Sequence, residues 1–137
     1  MKAITKFTGI LIISFLALAC ATTPFKVEDK YNFDNELTET TDIYSFRING
    51  WQSIDYQSLI IETNVKDYYL LILNRPALEL PFAESIGITL TADRLKSGFD
   101  QIIVADFSGT ESYYIHKIYK LKDHEQATEI KKRLKQK

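Results

Sequence analysis

The sequence predicts a mainly β (α+β) domain, a curved antiparallel sheet or small barrel-like domain of six to seven strands with one C-terminal helix. Three observations predict it. Between Ile43 and Leu121 apolar and polar residues alternate in short runs, the period of half-buried strands. Those runs are separated by turn-forming clusters such as Asn64-Val65-Lys66-Asp67 and Asp106-Phe107-Ser108-Gly109-Thr110. Only from Asp123 onward does the spacing become helical, with Ala127, Ile130 and Leu134 in one narrow stripe. A chain of 137 residues that is 45% hydrophobic has room for one such core and little more.

Tyr44, Phe46 and Ile48 alternate with Ser45, Arg47 and Asn49, which predicts a strand, and Gly50 offers a place for a bulge before Trp51. Asp55-Tyr56-Gln57-Ser58 separates Trp51–Ile54 from Leu59–Glu62 as a turn with Asp55 at its first position. Tyr68 to Leu73 is apolar on both faces and is bounded by Asn74-Arg75-Pro76, so it predicts the central strand. Leu78 to Ser85 contains Pro81 and predicts a loop or helical turn across the sheet. Ile86 to Leu90, Gln101 to Ala105 and Tyr113 to Leu121 read as strands, with a turn at Arg94–Gly98 and a hairpin loop at Asp106–Thr110. Asp123 is placed to cap the last helix, with Gln126 at its third position.

Before this domain, Thr22 to Asp42 holds six acidic residues against Lys26 and Lys30 and shows no sustained period. Residues 20–42 therefore read as an acidic tether, with the β-rich domain at 43–122 and a basic helix at 123–137. The competing reading docks Tyr31, Phe33 and Leu37 on the domain as an edge strand or short turn.

The composition excludes several function classes. A net charge of −1 with 12% aromatics fits neither a nucleic-acid-coating polycation nor a disordered chain, and no nucleic-acid partner is expected. One cysteine rules out an internal disulfide and a cysteine-rich zinc module. The only histidines, His116 and His124, sit outside any metal-binding pattern, and no phosphate or dinucleotide loop occurs. No metal, cofactor or catalytic residue is expected, which leaves a hydrolase as a remote alternative to a non-enzymatic module.

Two clusters remain for binding. Arg47, Asn49, Trp51 and Asp55 combine a fork donor, an amide, a large aromatic ring and a carboxylate, the makings of a small-ligand contact. The structural alternative is Trp51 in the core and Arg47 paired with an acid. From Lys117 to Lys137, basic residues outnumber Asp123, Glu125 and Glu129. Lys131, Lys132, Arg133 and Lys135 sit favourably at a helix C-terminus, and they also offer a contact for an envelope protein or anionic polymer.

The chain begins with Lys2 and Lys6, followed by an uncharged run from Phe7 to Ala19. That is the layout of a secretory signal at residues 1–19. As a helix the run would be about 20 Å long, short of the roughly 30 Å hydrocarbon core. Leu16-Ala17-Leu18-Ala19-Cys20 resembles the lipobox of bacterial lipoproteins, although Ala17 stands where that family prefers leucine. The resemblance implies lipid on the Cys20 sulfur and an anchored protein facing the periplasm. Ala21, where many retained lipoproteins carry aspartate, favours the outer over the inner membrane. The competing reading is an ordinary cleaved signal followed by an incidental cysteine.

Arg47-Ile48-Asn49-Gly50-Trp51 with Asp55, then Tyr68–Pro76, Phe82–Gly87 and Phe99-Asp100, resembles a family of uncharacterised small bacterial envelope proteins, a domain of unknown function. Many members carry a cysteine after the Arg-Pro pair, where this chain has Ala77. The resemblance implies an envelope location and a domain boundary near Ile43, and it brings no activity.

Overall fold

The structure, a computed structural model, describes residues 25–64 and 66–137. A 3-10 turn at Asp29–Tyr31 leads to β1 (Thr38–Thr40), β2 (Asp42–Tyr44), β3 (Ile48–Ser53), β4 (Ser58–Thr63) and β5 (Tyr68–Leu73). A second 3-10 turn at Leu80–Phe82 precedes β6 (Ile86–Ile88), β7 (Arg94–Lys96), β8 (Gln101–Asp106), β9 (Gly109–Leu121) and α1 (His124–Lys135). All pairings are antiparallel. The main sheet runs β3-β4-β5-β9-β8-β6, curls into a half-barrel, and gains β1 as a seventh strand on β9. The mainly β architecture with one terminal helix is the one expected from the alternating pattern.

The sheet buries both faces. On the inner face Leu59, Ile61, Leu71, Leu73, Ile102, Val104, Tyr113, Ile115 and Ile118 form one core, closed by Ile43 and Leu95 from the β2–β7 pair. On the outer face Ile60, Leu70, Ile72, Tyr119 and Leu121 meet Ala127, Ile130 and Leu134 of α1 together with Tyr31, Phe33 and Leu37. Tyr69 to Leu73 are all buried, because β5 lies between β4 and β9 with both faces covered.

Period 2 alone does not deliver this arrangement in β9. Ile115 and Ile118 both face inward although they are three apart, while Tyr119 and Leu121 face outward. The register explains it: Ile72 opposes Lys117 and Leu73 opposes Ile115, so His116 is an extra residue that resets which face each later side chain takes. A second bulge at Asn49 lies between the Ile48–Thr63 and Gly50–Glu62 pairs, one residue before the expected glycine.

The tether expected at 20–42 is corrected over its described part. Tyr31, Phe33 and Leu37 are buried, and β1 adds to the sheet, so the docked alternative holds and the domain begins well before Ile43. Aromatic burial on an otherwise uncovered sheet face outweighs the acidic composition. Residues 20–24 lie outside the described residues, as does the signal at 1–19. Three smaller expectations also change. The strand through Tyr44–Ile48 breaks at Ser45, whose φ of 49° turns the chain, so only Phe46 of its three apolar residues is buried. Arg94–Lys96 is a strand rather than a turn. The β8–β9 connection is a two-residue turn, Phe107-Ser108, because Asp106 pairs directly with Gly109 at φ 142° and its carboxylate accepts from both Ser108 groups and the Gly109 amide.

Candidate functional site

The outer face holds a groove of about 350 Å³ between the free edge of the sheet and the helix. Its floor is Ile60 and Ala127, one wall is Gly50, Trp51 and Gln52 of β3, and the rim carries Glu62, Tyr68, His124, Thr128 and Lys131. The geometry follows from local sequence. Glu62 opposes both Gly50 on β3 and Tyr68 on β5, so it stands beside the bulge and beside Tyr68. His124, Thr128 and Lys131 recur at i, i+4 and i+7 and therefore share one helix face, next to the buried stripe. Asp123 fixes the helix start by accepting from the Gln126 amide at 2.8 Å, while the Gln126 side chain accepts from the Lys122 amide at 2.7 Å.

Within the groove the His124 ring meets Tyr68 edge-on with centroids 5.7 Å apart. Burial, and then the charge of Glu62, push the Tyr68 phenol above its usual range. Burial and the nearby Lys135 pull the Lys131 ammonium below its usual range. The Thr128 hydroxyl donates to the His124 carbonyl at 3.0 Å, so it is held as a helix back-bond. The site offers a carboxylate on the sheet, an ammonium and an imidazole on the helix, and an apolar floor. That chemistry suits noncovalent binding.

The four residues singled out as ligand contacts do not converge. Asn49 reaches the groove rim and donates to Glu62 at 3.4 Å. Trp51 lines the groove yet is half-buried against the inner core. Arg47 is exposed and lines a different hollow with Tyr44, Asn64, Asp67 and Tyr69. Asp55 stands beyond the far end of β3 from Arg47, with the whole strand between them. Its Oδ1 accepts from the Gln57 and Ser58 amides and the Ser58 hydroxyl, and its Oδ2 accepts from the Tyr31 hydroxyl at 2.9 Å. Asp55 therefore shapes the β3–β4 turn and pins the N-terminal segment. Of the basic tail, Arg133 is engaged in two bonds to Glu36 at 2.6 and 2.9 Å, Lys131 lines the groove, and Lys132 and Lys135 are exposed. Sequence alone marks Lys131 only as a basic contact and does not mark Glu62, Tyr68, His124 or Thr128 as binding residues. The i, i+4, i+7 spacing of His124, Thr128 and Lys131 was the available signal.

Among the described residues no three His, Cys, Asp or Glu side chains cluster to hold a metal ion, and no helix is long and apolar enough to cross a membrane. Cys20 lies outside the described residues. Fold and groove together define a small curled-sheet domain with a solvent-open cleft. The chain belongs to the DUF6491 family of unknown function, whose model matches residues 2–137. No curated protein and no solved structure matches it.

Proposed function

We propose that the protein is a membrane-anchored periplasmic lipoprotein whose domain is a non-enzymatic interaction or envelope-maintenance module. The observation that carries this reading is the place of the chain's one cysteine: Cys20 ends the uncharged run from Phe7 to Ala19, directly after Leu18-Ala19. The thiol is the side chain able to form a stable thioether with a diacylglycerol group. Ala21 favours the outer membrane. Lys132 and Lys135 remain exposed for an envelope protein or anionic polymer. The test is metabolic labelling with a radioactive fatty acid together with fractionation. Label and membrane association are expected for the native chain and lost in Cys20→Ser; a Cys20→Ser chain that still takes up label would refute the anchor.

A second reading, a small-ligand module, is favoured by the groove between β3 and α1. It retains Asn49 and Trp51 of the sequence cluster and replaces Arg47 and Asp55 by Glu62, His124 and Lys131. Chemical-shift changes confined to these residues on addition of a periplasmic metabolite extract are its expected signature.

A further inference from the structure

Four of the exposed large apolar side chains, Tyr56, Leu78, Phe82 and Phe107, lie toward one end of the sheet. Ser58 opposes Ile72, Ile72 opposes Lys117 and Leu73 opposes Ile115, so the β3–β4 turn and the segment after β5 lie at the same end of their strands. From Ile115, β9 continues toward that end until the β8–β9 turn. Tyr56 sits in the first of these connections, Leu78 and Phe82 in the second, and Phe107 at the tip of the third. Contacts hold the segment against its neighbours: the Ala77 amide donates to the Tyr56 carbonyl at 2.6 Å, Arg75 donates to Glu111 and to the Ser112 carbonyl, and the Tyr113 hydroxyl donates to Glu79.

Phe107 is fully exposed, Phe82 is 79% exposed and Leu78 68%. Phe107 lies within an unbroken exposed stretch from Ala105 to Ser112. Elsewhere the exposed rings of Tyr44 and Phe99 are each covered by a cation, Arg94 and Lys96. Among the described residues no cation covers Phe82 or Phe107. The opposite, more polar end carries Asn64, Lys66 and Asp67 after β4 and Lys122 and Asp123 after β9, beside the exposed Ile48 and the cation-covered Tyr44.

The N-terminal segment enters at the apolar end. The Tyr31 hydroxyl and Lys30 both reach Asp55 in the β3–β4 turn, and Val27 shares a hollow with His116 and Lys117, at the level of Ile72. From Cys20 to Phe25 the chain spans at most about 17 Å when fully extended. Resting on the lipoprotein reading, that length keeps the apolar end close to the bilayer and the polar end away from it.

We infer that this end is a membrane-facing platform, in which Phe107 with Leu78 and Phe82 inserts into the interfacial region of the bilayer to which Cys20 is tethered. The charges here, Arg75, Glu79, Glu84, Asp106 and Glu111, are net acidic. Attraction therefore comes from apolar insertion, and a zwitterionic lipid surface is the partner.

The test uses the full chain made with its own leader in a Gram-negative host, its N-terminal mass measured, then placed in phosphatidylcholine vesicles. With the Cys20 sulfur in a thioether, an introduced cysteine is the one free thiol. A polarity-sensitive dye on Phe107→Cys is expected to shift to the blue and to be quenched by spin-labelled lipid, while the same dye on Lys122→Cys reports water. Both positions are exposed, so circular dichroism should match the parent. Lipid on Cys20 with a water-like Phe107→Cys signal overturns the platform and leaves the anchor standing, and so does a shift that requires anionic lipid. A chain whose mass shows no lipid overturns both.

Discussion

Whether residues 25–37 belong to the domain is decided by Phe33→Ala. Phe33 is 4% exposed, its ring meets Tyr119 edge-on at 5.8 Å, and the Arg133 guanidinium lies over it at 5.6 Å. Its amide donates to the Tyr119 hydroxyl, a bond the substitution keeps, and Arg133 keeps its two bonds to Glu36. The loss is therefore the buried ring and the cavity it leaves, about 3–5 kcal/mol for a Phe-to-Ala change in a core. The segment lies at the margin of the outer core, where the chain can relax, so the lower figure applies. At this domain size each kcal/mol moves the midpoint by roughly 4 °C, so Tm should fall by about 12 °C. Urea unfolding of a chain lacking residues 1–19 and carrying Cys20→Ser, followed by circular dichroism and Trp51 fluorescence, should show coincident transitions with an unchanged slope. Phe25→Ala, at a half-exposed ring, should stay within about 0.5 kcal/mol. A Phe33→Ala loss below about 1 kcal/mol would mean that the segment only rests on the sheet.

Further outcomes concern pH, register and a buried carboxylate. Hydrogen bonds from Lys117, at 2.7 and 2.8 Å, and then from Tyr119 hold the Asp34 carboxyl below its usual range. A depressed folded-state pKa gives stability that is present above the unfolded value, near 4. That stability is lost as pH falls through the folded value, so acid unfolding below about pH 4 should be less steep in Asp34→Asn. Because His116 is the extra residue of the bulge, deleting it leaves Ile115, Lys117, Ile118 and Tyr119 in regular alternation opposite Leu73, Ile72, Leu71 and Leu70, so the shortened strand should still unfold cooperatively in urea, and His116→Ala, at an exposed site, should cost under about 0.5 kcal/mol. Asp100 is buried and accepts from the Thr89 and Thr91 hydroxyls and the Lys96 amide. Asp100→Ala orphans these donors, and since the amide cannot rotate away, a loss of about 1–3 kcal/mol is the least expected from urea titration.

The strands that read correctly from sequence are those whose partners cover one face or both in a regular way: Leu59–Glu62, Tyr68–Leu73 and Gln101–Ala105 lie within β4, β5 and β8. The elements that did not read are set by contacts distant in sequence. β1 exists because β9 leaves an edge beside Ile118–Lys120, and β7 exists because Asp42–Tyr44 lies opposite it. A three-residue strand carries too little periodicity to announce itself. The groove was half legible for the same reason. Asn49 and Trp51 stood out as types, but Glu62 and Tyr68 become its neighbours only through pairing register, and Arg47 and Asp55 are parted by the very strand that joins them in sequence.

Charge gives the last step. An acidic segment near the start and a basic segment at the end read as two separate features, a tether and a surface for an anionic partner. In the fold they meet. Asp34 binds Lys117, Glu36 binds Arg133, and Glu39 lies 3.6 Å from Lys117, across sequence separations of 83 and 97 residues for the first two. Such exposed pairs contribute little stability each, so the aromatic burial of Tyr31 and Phe33 does most of the docking and the charges set its register. Pairing also engages Arg133 and Lys117 inside the domain, which reduces the basic surface that the composition offers an anionic polymer. On the platform proposed above, membrane contact belongs to the uncharged rings at the sheet end where the N-terminal segment enters, and salt should weaken it little, since neither lipid insertion nor apolar contact is screened.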